Sequence, residues 1–157
     1  GRALDPPLRS RLQAHVVPSF DVDELPPHED LAAACAAFAD NGIPILNQTV
    51  LLAGVNDDAE VLTQLFRKLV GLRVKPHYLF HVDPVLGVRH FATGVERGLE
   101  LMKELRLRLS SLSLPVFAID LPDGGGKIRL EPDLRDAEGR YPTIDGRWIE
   151  YTKDGVW

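Results

Sequence analysis

Apolar residues along this chain alternate between two spacings, and the alternation marks out its elements. An alanine-rich stretch from about residue 28 to 40 follows Pro26 and Pro27 and stops at Asn41-Gly42, the punctuation of a helix. Residues 43–52 are apolar and β-branched with glycine on either side, and predict a strand. Asn56 or Asp57 is then expected to cap a helix whose apolar positions Val61, Leu62, Leu65, Phe66, Leu69 and Val70 keep the 3.6-residue period. A second strand is predicted over 73–80, a long loop from His81 to about Ala92, and a helix from Thr93 to about Leu109 carrying Val95, Leu99, Met102, Leu105 and Leu109 on one side. A third apolar run, 115–119, predicts the last strong strand. Upstream, Pro6 and Pro7 open a short helix over 6–14, and 16–20 is a short strand candidate weakened by Pro18. Downstream the chain turns polar, with Pro132, Pro142 and Gly146, and a hairpin is expected around 147–151.

Strand, helix, strand, helix, strand is a βαβαβ order, which implies an α/β protein with a parallel sheet and right-handed crossovers. Three strands do not close a barrel. They suit the last part of a (β/α) TIM-type barrel or a small open sheet, and in either the chemistry sits at the carboxyl ends of the strands. That rim is expected to carry Asn56 and Asp57, then His81 and Asp83, then the segment from Asp120 to Lys127.

Composition narrows the partners. A net charge of −5 with scattered Lys and Arg gives no basic stripe, so nucleic acid is not an expected partner. No apolar run is long enough to span a bilayer and no signal-peptide pattern is present, so a cytoplasmic location is expected. A single cysteine, Cys35, fits a reducing compartment and reads as a small buried filler among alanines. The length of 157 residues suits one domain, and the first residue is Gly rather than Met, which fits a fragment or a processed product.

The segment Asp120-Leu-Pro-Asp-Gly-Gly-Gly-Lys127 ends a strand in an acid and delivers a lysine beyond three glycines. Exposed backbone N–H groups in such a loop can line an anion, and the lysine can serve as a point charge or a Schiff-base amine. The plainer alternative is a surface turn with a solvated lysine. Asp83 and Asp120, each just past a strand, can converge to hold a cation or to form a structural ion pair with Lys127. The spacing of His77, His81 and His90 matches no common zinc pattern, so no metal site is expected in this chain. Gln48 is expected on one sheet face with Asn47 and Thr49 on the other, without the residues saying which face is which.

Four strings occur in one order: Gly-Ile-Pro-Ile-Leu-Asn-Gln-Thr-Val-Leu-Leu-Ala-Gly-Val-Asn-Asp (42–57), Arg-Val-Lys-Pro-His-Tyr-Leu-Phe-His-Val-Asp (73–83), Gly87-Val-Arg-His-Phe91 and the Asp120-to-Lys127 segment. Together they resemble the C-terminal half of the lysine 2,3-aminomutase family, radical S-adenosylmethionine enzymes that also use pyridoxal 5′-phosphate (PLP). The resemblance covers about residues 25–135 and implies residues 1–135 as the C-terminal half of such a (β/α) barrel, with 136–157 as a tail. It implies an isomerase moving the amino group of L-lysine from C2 to C3 through a PLP-imine radical mechanism. PLP would sit on Lys127 beside Gly124, Gly125 and Gly126, S-adenosylmethionine near Gln48, and the substrate ammonium on Asp83 and Asp120. The [4Fe–4S] cluster ligands belong upstream, so the partner implied is a missing N-terminal barrel half in a parent that is a homo-oligomer.

Several positions depart from the family pattern. The Cys-x3-Cys-x2-Cys cluster motif is absent, and this chain alone is expected not to perform the radical step. A histidine-rich family segment appears as Pro18-Ser-Phe-Asp-Val-Asp23, and a Gly-His-Thr-Ser-Gly-Tyr pattern ahead of the third strand as Leu107-Arg-Leu-Ser-Ser-Leu112. Asp123 replaces a fourth glycine, and Ala92 replaces an arginine after His90-Phe91. Alternatives that keep the fold are a relative acting on arginine or on lysine for translation-factor modification, and a non-catalytic PLP-binding paralogue. A plain α/β interaction domain is a further alternative.

Overall fold

The computed structural model describes residues 28–83 and 85–151, and of 28–30 the backbone alone. The helix expected over 6–14, the strand at 16–20 and the Pro18-to-Asp23 segment lie outside the described residues. The remainder is a mixed α/β structure: α1 (His28–Asp40), β1 (Ile45–Leu51), α2 (Ala59–Gly71), β2 (Val74–His81), a 3₁₀ turn (Arg89–Phe91), α3 (Val95–Arg108), β3 (Val116–Leu121), β4 (Gly126–Arg129) and a two-stranded hairpin of β5 (Tyr141–Pro142) and β6 (Trp148–Ile149). The main sheet runs β1-β2-β3-β4; β1, β2 and β3 are parallel, and β4 returns antiparallel to β3.

A helix cap and a strand differ from the sequence reading. The cap of α2 is Asp58, whose carboxylate accepts from the N–H groups of Glu60 and Val61, and not Asn56 or Asp57. These backbone bonds hold the Asp58 carboxyl below the usual carboxylate range. β4 was not predicted at all, because its four residues are exposed and show no apolar alternation.

The helices cover one face of the sheet. Leu51, Leu79 and Phe117 from β1, β2 and β3 pack with Ala59, Leu62 and Phe66 of α2 and with Leu101, Met102 and Leu105 of α3. Each of the large side chains contributes about 1.5–3 kcal/mol by leaving water. α1 adds a smaller cluster in which Cys35 packs with Ile45 and Val74. Burial pushes the Cys35 thiol pKa up, which keeps it a structural, unreactive group.

Among the described residues, the other face carries no helix. A register shift between Asn47 and Gln48 sets Gln48 beside Tyr78, Val50 beside Phe80, and Tyr78 and Phe80 beside Val116 and Ala118. Tyr78, Phe80 and Ala118 form their own cluster there, apart from the helix-side core. Among the described residues no helix is long and apolar enough to cross a membrane.

Candidate functional site

Lys127 reaches this open face because β3 and β4 form a hairpin. Pairing sets Leu121 against Gly126, Asp120 against Lys127 and Ala118 against Arg129. At the tip, Gly125 N donates to Pro122 O at 3.1 Å across Asp123 and Gly124, whose φ angles are +56° and +77°. Positive φ at both central residues matches the right-handed strand twist and is the reason Asp-Gly favours two-strand turns. A Cβ on Gly125 would lie 2.8 Å from Leu121 Cβ, so this position also tolerates only glycine.

The lysine amine rests on aromatic rings. Lys127 Nζ lies 4.1 Å from the Phe80 ring centroid and 4.6 Å from that of Tyr78, and 3.9 Å from Asp120 Oδ1. Tyr78 and Phe80 touch each other at 5.1 Å between centroids. Cation–π contact and one carboxylate therefore fix the amine on the face opposite the helices. Both members of the ion pair keep solvent contact, so the pair adds less than about 1 kcal/mol to stability. Its value is positional.

The register resolves the alternation in β1. Gln48 stands next to Tyr78 on the open face, whereas Thr49 stands next to the buried Leu79. Thr49 Oγ1 donates to Asn47 Oδ1 at 2.7 Å, a local bond between neighbours on that face. Gln48, Asp120 and Lys127 thus share one face. Asp83 is exposed just beyond β2, and no ion pair involves it among the described residues.

Other candidates serve the loops. Asn56 accepts from Leu52 N and donates to Val50 O, and Asp57 accepts from Gly54 N, so both shape the turn after β1. His81 Nε2 bonds Thr93 O at 2.8 Å, tying the end of β2 to the approach of α3. His90 stacks on Phe91 at 4.0 Å, and Phe91 O accepts from Ala53 N, anchoring the second loop to the first. His77 stacks on Tyr78 at 4.1 Å. Its pKa is lowered by burial first and then by the positive charges of Arg129, Lys127 and Lys75. Among the described residues no group of three His, Cys, Asp or Glu side chains is placed to hold a metal ion.

Three contributors escaped the sequence reading. Tyr78 and Phe80 form the floor, and Arg129 lies beside Lys127 with Nη2 donating to Tyr78 Oη at 3.3 Å. Alternation along β4 would have indicated Arg129, had β4 been recognised from Asp123-Gly124. A cleft of about 300 Å³ lies elsewhere, between α3 and the C-terminal segment, with Lys103, Arg106, Leu107, Asp133, Arg135 and Trp148 on its walls. There Arg135 holds the Asp133 carboxyl down at about 2. None of the open-face residues lines it.

The chain is similar to several curated proteins. One from Aquifex aeolicus, provisionally named an L-lysine 2,3-aminomutase, is 49% identical over 120 residues, 74% of this chain and 32% of that protein. The L-lysine 2,3-aminomutase of Clostridium subterminale is 44% identical over 105 residues, 67% of this chain and 25% of that protein. The glutamate 2,3-aminomutase of Clostridioides difficile is 42% identical over 106 residues, 68% and 25% of the two chains. The chain spans about a third of the length of the first of these relatives and a quarter of the other two. No protein-family model matches it. Among solved structures, a radical SAM methyltransferase from Sphaerobacter thermophilus matches at a TM-score of 0.48 with 26% identity, over 60% of this chain and 27% of that one. A likeness at that level supports no conclusion about fold or function.

Proposed function

Over the residues shared with those relatives the chain belongs to the lysine 2,3-aminomutase family, and from that premise we propose that it is the PLP-bearing C-terminal portion of an L-lysine 2,3-aminomutase. The observation that carries the reading is the placement of Lys127 against Asp120 and the Tyr78–Phe80 rings, on the sheet face that no helix among the described residues covers. This is the face that the lumen of a (β/α) barrel would occupy, with residues 1–135 supplying its later strands and the rest of the barrel coming from a longer parent.

The residues present fit PLP. Lys127 offers a primary amine at the strand rim, and the flat aromatic floor beneath it excludes water from one side of a planar ring. Cβ atoms added at Gly124 or Gly126 would meet nothing within 4 Å, so that side of the hairpin tip is open to a cofactor. When bound, PLP supplies the electron-delocalising ring for migration of the amino group, with S-adenosylmethionine and a [4Fe–4S] cluster in the parent as the radical source.

This chain's own side chains do the binding. Asp120 pairs with Lys127 in the present arrangement. With PLP held on that amine, the Asp120 carboxylate would be free to hold a second ammonium, that of the substrate side chain, together with Asp83 just beyond β2. Two carboxylates at this rim favour lysine over glutamate as substrate. Gln48, on the same face one strand over from Tyr78, offers both a donor and an acceptor to S-adenosylmethionine.

Borohydride reduction of the complete protein with PLP tests the reading. A stable adduct that maps to Lys127 and disappears in Lys127→Ala is the expected result. An adduct on another lysine, or none on the folded protein, overturns it. Asp120→Asn is expected to raise the KM for lysine by about tenfold or more while leaving the adduct intact, since a charged hydrogen bond contributes about 1.5–3 kcal/mol.

A further inference from the structure

Resting on the reading of this face as the ligand side, we propose that Arg129 binds an oxyanion of the small-molecule ligand, a carboxylate or phosphate group, one level below Lys127. β4 runs antiparallel to β3, so the step from Lys127 to Arg129 descends from the Asp120 level to the Ala118 level. The two-residue period keeps both cations on the same face. A ligand that Lys127 holds by its reactive end and that runs down the strand meets Arg129 about 7 Å further along.

The two cations differ in what balances them. Lys127 has Asp120 at 3.9 Å. The neighbour of Arg129 across the strand pair is Ala118, which offers a methyl group and no charge. No carboxylate forms an ion pair with Arg129 among the described residues, and the hydrogen bond its guanidinium makes is to Tyr78 Oη. That bond and the Tyr78 ring, 5.9 Å from the guanidinium carbon, hold the group over the face. A guanidinium has five N–H donors in a planar fork, and most of this one remain available to grip an oxyanion in two-point fashion.

The surrounding field has the same sign. Lys75 stands further down this face, where its ammonium donates to the carbonyls of Ser111 and Leu114 at 3.3 and 3.2 Å. His77, whose pKa burial lowers first, also feels Arg129, Lys127 and Lys75, which lower it further. In a chain of net charge −5, this concentration of cations is local and faces the ligand side. An edge-strand arginine can also serve to block edge pairing. That task does not call for the contact with Tyr78.

The test uses the complete protein with Arg129→Gln and Arg129→Lys, and inorganic phosphate as the first probe. Titration followed by the His77 imidazole resonances should saturate in the wild type, at constant ionic strength, with the His77 pKa rising as the anion offsets the cations. Arg129→Gln should weaken phosphate by about tenfold or more, and Arg129→Lys by less. A wild-type response that fails to saturate, or equal affinity in Arg129→Gln, overturns the proposal and leaves Arg129 to a carboxylate of the protein itself.

Two further arms name the source of the oxyanion. If Arg129→Gln weakens PLP but not pyridoxal, the group is the cofactor phosphate. If it weakens lysine but not the decarboxylated diamine, it is the substrate carboxylate. Equal effects on the charged and uncharged member of both pairs count against the proposal. The borohydride adduct at Lys127 separates this inference from the parent reading. An adduct without phosphate binding sinks only Arg129, and saturable phosphate binding without an adduct sinks only the aminomutase assignment.

Discussion

Gly98 lies where α3 crosses closest to the sheet. A Cβ at this position would overlap the tip of the Phe117 ring at Cζ, 2.5 Å from Cε1 and 2.8 Å from Cε2. Phe117 is fully buried among Leu79, Leu101 and Leu105, so the ring has nowhere to move. A mid-helix glycine costs about 1 kcal/mol in propensity relative to alanine, and here that cost is accepted so that an aromatic ring can sit directly beneath the helix. Gly98→Ala should therefore destabilise by about 1–3 kcal/mol through overpacking, against the gain its helix propensity would give. In a Phe117→Leu background the same change should cost far less, and a double-mutant cycle in urea measures the difference. A raised melting temperature for Gly98→Ala alone would mean that the close approach is not there. The period of α3 reveals its apolar side, but nothing local tells which glycine receives a ring from a strand some twenty residues on.

At the scale of elements, the parts written in short-range pattern were legible and the parts written in pairing were not. Three strands and three helices follow from periodicity and punctuation, and α1 lies where Pro26-Pro27 and Asn41-Gly42 place it. The face taken by Gln48 depends on a register shift between β1 and β2, which is a property of two strands and cannot be read from one. β4 is short and exposed, and the glycine run drew attention to anion binding when Asp123-Gly124 was already a hairpin signal. The turn makes a direct prediction. Gly124→Val forces a β-branched residue to φ +77°, at a cost of about 1–2 kcal/mol. The loss should be confined to the hairpin: amide exchange should quicken at Lys127 and Arg129 while β1 to β3 keep their protection. Uniform loss of protection across the sheet would show that the hairpin is not a separable unit.

For the molecule as a whole, the unequal treatment of the two sheet faces decides where chemistry can occur. Leu51 has no exposure and Val50, its neighbour in β1, is 42% exposed. One residue separates a helix-packed core from a face carrying Lys127, Asp120, Arg129 and Gln48. Asp83 and Asp120 were legible as strand-end residues because the βαβ order itself places them, whereas Lys127 comes to the face through the unforeseen β4 and the aromatic floor looked like ordinary strand residues. Leu51→Ala should cost about 2–5 kcal/mol wherever it is measured, since its cavity opens inside the helix-side core. Val50→Thr should change the stability of residues 28–151 by no more than about 0.5 kcal/mol, because the side chain already meets water. In the complete protein the balance should shift. Strands closing over the open face would bury Val50, and the threonine hydroxyl would then cost about 1 kcal/mol or more for want of a partner. The same small effect in both settings would mean that this face stays open, and a lumen built around Lys127 would have to be abandoned.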